Sequence, residues 1–334
     1  MCAGFDAFKG ARAHMTVVIT GVAGFIGFHT ARAMLARGVP VVGIDCLTDY
    51  YDVSLKQARL QALKQQSGFD FEALDLADAD AVKALILKVQ PERILHLAAQ
   101  AGVRYSLKNP FAYTHANVTG HLSMLEAARA LGPTLKHFVY ASSSSVYGER
   151  EGAFKESDAV DAPVSLYAAT KRADELMSAT YTHLYDLPLT GLRFFTVYGP
   201  WGRPDMAYFS FAERMLAGQT IDLFNHGRNK RDFTFIDDIV PTLQSVLRDD
   251  PGPAHRVFNI GGSAPVDTLA LVTALEAALE IKAQTRLIEA QPGDVSSTWA
   301  DTSKLEAAYG SAPRTELAVG VKAFADWFKT WKSA

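Results

Sequence analysis

The chain has 334 residues, 49% of them hydrophobic and 21% charged, with a formal net charge of -3. This is enough apolar material for one large domain or two closely packed ones. The charge is too balanced for a protein built around a phosphate backbone, so no nucleic-acid partner is expected. No apolar run approaches the ~18 residues that span a bilayer, so no membrane is expected either.

Residues 1–14 (MCAGFDAFKGARAH) contain no continuous apolar stretch and read as a poorly ordered extension rather than a secretory signal. The fold is expected to begin at Met15. Residues 16–20 (TVVIT) form a β-branched run that Gly21 ends, which predicts a buried strand. Residues 24–37 have helical spacing through Phe25, Phe28, Ala31 and Leu35, and Gly38 stops them. The alternation continues with strands at 41–45, 70–74, 93–97, 137–141 and 190–195. Helices are predicted at 55–65, 78–88, within 110–131, and at 166–185. Strand-helix repetition with unbroken apolar strands predicts an α/β fold, a doubly wound parallel sheet. After Gly199 the texture is less regular, and VFNIGG (257–262) is expected to return as one more strand of the sheet.

Gly21, Gly24 and Gly27 lie between the first strand and the first helix, with Phe25 and Ile26 at the helix start. There the chain must turn sharply and present helix N-terminal N–H groups to a pyrophosphate. The spacing is G-x-x-G-x-x-G, a variant that resembles the extended short-chain dehydrogenase/reductase superfamily. Asp45 ends the second strand, where an acid binds ribose hydroxyls and repels a 2′-phosphate, so NAD is expected over NADP. Asp75 and Leu76 follow the third strand and suit an adenine pocket, although a plain loop fits that pair nearly as well. Ala98, Ala99 and Gln100 follow the fourth strand, where small residues let a cofactor cross the strand ends.

Tyr167 and Lys171 are four apart on a predicted helix and therefore share a face. An isolated phenol has a pKa near ~10. A cation at ~4–6 Å lowers it by about 1–3 units, enough for a proton acceptor near neutral pH. Ser142, Ser143, Ser144 and Ser145 follow the strand HFVYA, at the end of the sheet where folds of this type bind ligands. Asn117 is a candidate support for the Lys171 neighbourhood. Cys2 and Cys46 are far apart and lack metal-type spacing, so no metal site is expected, and such sparing use suits a reducing, cytoplasmic setting.

Together these pieces resemble the sugar-nucleotide epimerases of the extended short-chain dehydrogenase/reductase family, and within it the UDP-glucuronate 4-epimerases. The resemblance covers nearly the whole chain from Met15. It rests on GVAGFIGFHTA, GIDCLTDYYD, HLAAQAGVRYSL, YASSSSVYG, PVSLYAATK, LRFFTVYGPWGRPDMA, KRDFTFIDDIV and QPGDVSSTWAD. It implies an NAD enzyme that inverts C4 of a UDP-uronic acid through a 4-keto intermediate, with NAD staying bound. It implies Tyr167 as base, Lys171 as its modulator and Ser143 as the hydroxyl on the reacting oxygen, with Ser142 and Ser144 left as alternatives. Ser144, Ser145, Thr196 and Arg203 become candidates to grip the carboxylate. Thr196, Arg231 and Asp294 match positions near the diphosphate and uridine. A homodimer through the helices at 110–131 and 166–185 is also implied.

The expected division is an NAD-binding Rossmann domain over 15–185, with 186–198 and about 232–262 returning to it. A smaller sugar-nucleotide-binding region then covers about 199–231 and 263–334. Two departures from the family pattern are visible. Gln291 stands where relatives acting on neutral sugars often carry arginine, and Cys46 stands where an Asn usually follows the ribose-binding acid. A UDP-glucuronate decarboxylase shares the same catalytic residues and is the nearest alternative. A dehydratase needs acids where Ser144 and Ser145 stand, and a non-catalytic binding module has no use for Tyr167, Lys171 and Ser143.

Overall fold

The computed structural model describes residues 16–290 and 297–333. The proposed extension at 1–14, Gln291 and Asp294 lie outside the described residues. The first half alternates β1 (Val17–Thr20), α1 (Phe25–Leu35), β2 (Val41–Asp45), α2 (Val53–Lys64), β3 (Phe69–Ala73), α3 (Ala79–Val89) and β4 (Arg93–His96). Then come α4 (Pro110–Tyr113), α5 (Gly120–Leu131), β5 (His137–Ser143), α6 (Leu166–Tyr185), β6 (Leu189–Phe194) and β7 (Thr196–Tyr198). The remainder is α7 (Ala207–Leu216), β8 (Ile221–Leu223), β9 (Lys230–Phe235), α8 (Ile236–Arg248), β10 (His255–Ile260), β11 (Pro265–Asp267), α9 (Thr268–Leu279), β12 (Thr285–Leu287), α10 (Ser303–Tyr309) and α11 (Leu317–Ser333).

Seven strands make one parallel sheet in the order β3-β2-β1-β4-β5-β6-β10. Side chains alternate across it as strand geometry requires. Val17 and Ile19 enter a core shared with α1, α2, α8 and α11, while Val18 enters one shared with α3 and α5. Both faces are covered, which is why β1 and β4 are buried throughout, even though β4 begins with Arg93 and ends with His96. Chain order reverses between β1 and β4, with Thr20 facing Ile44 on one side and His96 on the other. Such a reversal opens a crevice at the strand C-termini.

The structure departs from the expected elements in three places. The helix predicted within 110–131 is helical throughout but winds more widely at Thr114–Thr119, a π segment that joins α4 to α5. β5 runs on to Ser143, so the first two serines of the cluster belong to the strand rather than to the loop after it. The region after Gly199 is more regular than its sequence suggests. Its strands form a three-stranded sheet with β7, in the order β11-β9-β7, and a two-stranded one, β12-β8. β10 returns to the large sheet beside β6, over His255–Ile260.

Candidate active site

The chain leaves β1 through Gly21, at φ +70, and the Gly24 N–H donates to the Gly21 carbonyl at 2.9 Å to close the turn. A Cβ on Gly21 would lie 2.8 Å from the Ala98 nitrogen, and one on Gly27 only 2.2 Å from the Gly21 oxygen. The first and third glycines are therefore required by the chain's own packing. The N-cap of α1 is Gly24, which offers no side-chain cap, and the first turn holds no acidic residue. The unsatisfied N–H groups and the positive end of the helix dipole are left at the wall of a cavity of about 280 Å³. Asp45 sits opposite, accepting the N–H groups of Ala23 (3.1 Å) and Leu47 (2.8 Å). An uncapped helix start and a strand-end carboxylate facing one cavity fit the diphosphate and ribose of a dinucleotide.

At the other end of the cavity stand Ser143, Tyr167 and Lys171. Ser165 caps α6, accepting the Ala168 N–H at 3.1 Å, and so sets where Tyr167 enters the helix. The Tyr167 phenol makes no hydrogen bond to another described residue, and its ring meets Tyr113 edge-on at 6.0 Å. Lys171 is buried and donates to the Ala141 carbonyl (2.9 Å) and to Asp174 Oδ2 (3.0 Å). Burial pushes the Asp174 carboxyl up to about 6 against the pull of Lys171. Asn117, on the π turn, accepts the Gln100 N–H and donates to the Gln100 carbonyl and the Thr170 hydroxyl. It thus ties the loop after β4 to the residue before Lys171.

The serines have distinct partners. Ser142 donates to Glu175 Oε1 at 2.6 Å. Burial opposes ionisation of Glu175, but hydrogen bonds and charge from Arg193, at 2.8 Å to each oxygen, outweigh it and hold the carboxyl low. Ser143 instead accepts the Ser145 N–H at 3.1 Å, which leaves its own proton to donate.

Arg203 also lines the cavity and is ion-paired to Asp205. Its loop is anchored by a residue the sequence reading missed, Arg59 of α2. This fully buried guanidinium donates to the carbonyls of Ala23 (2.8 Å), Trp201 (2.5 Å) and Gly202 (3.0 Å) and to the Tyr51 hydroxyl (2.9 Å). It joins the glycine turn to the loop after β7. No motif marks it, because its partners are backbone atoms distant in sequence.

Gly21, Gly24, Phe25, Ile26, Gly27, Asp45, Asp75, Leu76, Ala98, Ala99, Ser143, Tyr167, Lys171 and Arg203 all line this one cavity. Asp75 is also held by His115, at 2.8 Å. Ser144 and Ser145 open a 3-10 turn outside the wall, Thr196 stands between the lining residues Phe195 and Val197, and Arg231 lies on β9 away from it. Cys46 lines the wall too. Desolvation there, then the charges of Asp45 and Asp75, push its thiol up, so it is a neutral group beside Asp45. Gln100, named with Ala98 and Ala99 from the sequence, also lines the wall, and Tyr50, Tyr51 and Met206 are further wall residues that sequence reasoning did not single out.

Known proteins are similar to this chain in sequence and in fold. UDP-glucuronate 4-epimerase 4 of Arabidopsis thaliana is 45% identical over 335 residues, covering 96% of this chain and 76% of that protein. The crystal structure of UDP-glucuronic acid 4-epimerase from Bacillus cereus in complex with UDP-glucuronic acid and NAD superposes with a TM-score of 0.89 at 34% identity, covering 95% of this chain and 100% of that one. The UDP-glucose 4-epimerase of Thermus thermophilus in complex with NAD gives 0.84 at 28% identity, covering 94% of this chain and 99% of that one. Residues 17–261 match the family model described as NAD dependent epimerase/dehydratase family. Because that span runs from the first residue of β1 to the glycine after β10, it takes in the whole large sheet and the cavity at its edge, and the chain belongs to the NAD dependent epimerase/dehydratase family.

Proposed function

We propose that this protein is a UDP-glucuronate 4-epimerase that uses NAD to interconvert UDP-glucuronate and UDP-galacturonate. The observation that carries the reading is Arg203 in the wall of the cavity that also holds Tyr167 and Ser143, a guanidinium paired on one edge with Asp205 and able to offer its other edge to a sugar carboxylate beside the acid–base groups. Gly24, Phe25, Ile26 and Gly27 would hold the NAD diphosphate, and Asp45 its adenosine ribose. Asp75, Leu76, Ala98 and Ala99 would enclose the remainder. When bound, NAD supplies the acceptor and later the donor of one hydride.

Tyr167 takes the proton of the sugar 4-hydroxyl as that carbon is oxidised, and returns it when the carbon is reduced from the opposite face. Lys171, one helical turn further along α6, is assigned as its modulator. Ser143, whose proton is left to donate, stabilises charge on the reacting oxygen in the way preorganised donors do. Between the two half-reactions the 4-keto sugar turns over about its diphosphate. Thr196, Arg231 and Asp294 are assigned to the diphosphate and uridine, and Ser144 and Ser145 to the carboxylate beside Arg203. In domain terms, 15–185 with its returning segments serves NAD, and about 199–231 with 263–334 serves the sugar nucleotide.

A homodimer belongs to the same reading. Leu107, Phe111, Leu122, Leu176 and Leu184 stand exposed on or beside α4, α5 and α6, an apolar face that a second copy would cover. So does a cytoplasmic setting, which suits the free thiol of Cys46. Among the described residues no helix is long and apolar enough to cross a membrane.

The test is to mix the protein with UDP-glucuronate and follow products by NMR. UDP-galacturonate without UDP-pentose is expected. A UDP-pentose as main product would instead identify a decarboxylase.

A further inference from the structure

A guanidinium has two edges on which a carboxylate can lie with paired hydrogen bonds, one made by Nε and Nη2 and the other by Nη1 and Nη2. In Arg203 the first edge is taken by Asp205, with Nε to Oδ1 at 3.0 Å and Nη2 to Oδ2 at 2.5 Å. Nη1 makes no hydrogen bond to another described residue, and the side chain faces the cavity. Pro204 separates the two residues and stiffens the backbone between them.

Asp205 is fixed from the opposite wall. Tyr50, in the loop after β2, donates its hydroxyl to Asp205 Oδ2 at 3.1 Å. Burial and then the Asp205 charge push the Tyr50 phenol up, so it stays a donor. The Tyr50 ring packs on Tyr105 at 4.7 Å, and a Cβ on Gly102 would come within 2.3 Å of the Tyr50 oxygen. Loops after β2, β4 and β7 thus converge on one carboxylate.

That carboxylate cancels the charge Arg203 would offer a uronate, so attraction alone does not explain it. What it adds is direction, because a fork held on one edge presents its other edge at one angle. Direction matters for a 4-keto uronate. When its carboxylate bond lines up with the ketone π system, the C5–C6 bond breaks and its electron pair passes into the enolate of C5 and C4. Carbon dioxide leaves, and C5 then takes a proton. We propose that Asp205, anchored by Tyr50, is a positioning residue that aims the free edge of Arg203 at the substrate carboxylate and thereby separates epimerisation from decarboxylation. This rests on the UDP-uronate reading above.

The experiment compares wild type, Asp205→Asn and Tyr50→Phe, each purified with its NAD, on UDP-glucuronate, with products resolved by NMR. For Asp205→Asn the KM is expected to stay level or fall, since a competing carboxylate is gone, while kcat falls ~10-fold and the UDP-pentose share rises several-fold. Tyr50→Phe should move the same two readouts less, and it keeps the idea testable if Asp205→Asn fails to retain NAD. Variants that lose turnover with a raised KM and clean UDP-galacturonate would make the pair merely structural and overturn the proposal, as would unchanged kinetics in both. A wild-type protein inert on UDP-glucuronate would instead remove the substrate reading, a result distinct from a clean wild type with clean variants.

Discussion

Lys171 and Asp174 form a buried ion pair on one face of α6, with Nζ 3.0 Å from Oδ2 and neither side chain more than 3% exposed. The other carboxylate oxygen, Oδ1, is buried and has no partner among the described residues. Burial raises the Asp174 carboxyl to about 6, with Lys171 pulling the other way. Protonating it below that pH removes the charged acceptor that holds the Lys171 ammonium in place on the Tyr167 face of α6. Wild-type kcat/KM is therefore expected to carry an acid limb near pH 6 that Asp174→Asn removes, with turnover at pH 8 lowered about 10-fold, or ~1.4 kcal/mol. A pH–rate profile of both proteins checks this, and an unchanged limb in the variant would assign it elsewhere.

Tyr167→Phe removes the phenolic proton carrier but leaves the ring against Tyr113. Turnover should fall about 10²–10⁴-fold with NAD still bound. Single-turnover assays with an NAD stoichiometry on the same sample test it. Near-normal turnover would refute Tyr167 as the base.

Neighbouring serines should behave oppositely. Ser143→Ala deletes the free donor and should cost about 10²–10³ in kcat with little change in stability. Ser142→Ala leaves buried Glu175 short of one donor and should cost about 1–3 kcal/mol of stability while turnover per folded molecule stays within a few-fold. Denaturant titrations beside kinetics separate the two effects. A swap of these phenotypes would move the catalytic hydroxyl to Ser142.

Arg59→Met keeps the aliphatic stem but strands the carbonyls of Ala23, Trp201 and Gly202. The expected loss is about 3–5 kcal/mol, together with weaker NAD retention, because Ala23 lies in the glycine turn. Thermal melts and the NAD content after gel filtration report both. Full NAD content with an unshifted melt would show that the two loops do not depend on Arg59.

Acid should destabilise the fold through its buried histidines. Burial lowers His29 and His96 to about 3, while the unfolded chain titrates near the ordinary 6.5. Below pH 6.5 the unfolded state takes up protons that the folded state refuses, so stability falls as pH drops from about 6.5 toward 3. Above 6.5 these groups contribute no pH dependence. Asp174 acts in the opposite sense, since its raised carboxyl favours the folded state on acidification. His29→Gln, which retains a donor toward the Pro200 carbonyl, should flatten the decline in urea midpoint between pH 7 and 5. An equally steep decline would exclude His29 as a source.

The amino-acid sequence by itself determined the parallel α/β fold, the glycine turn, Asp45, and the Tyr167–Lys171 pair. Each depends on a local relation: a strand's apolar run, a turn only glycine can make, or two residues one helical turn apart. The Gly27 requirement is local in this sense, since its Cβ would collide with Gly21 six residues back. Only the tertiary structure decided which serine is free, because Ser142 is claimed by Glu175 from another element and Ser143 is not. The π segment within the 110–131 helix was likewise illegible. Its residues are all compatible with regular helix, and the π turn shows only where Asn117 reaches Gln100 and Thr170. Arg59 and Asp205 were invisible for the same physical reason. A charged side chain's partner is whatever the fold brings within about 3 Å, and here those partners lie on loops from other strands.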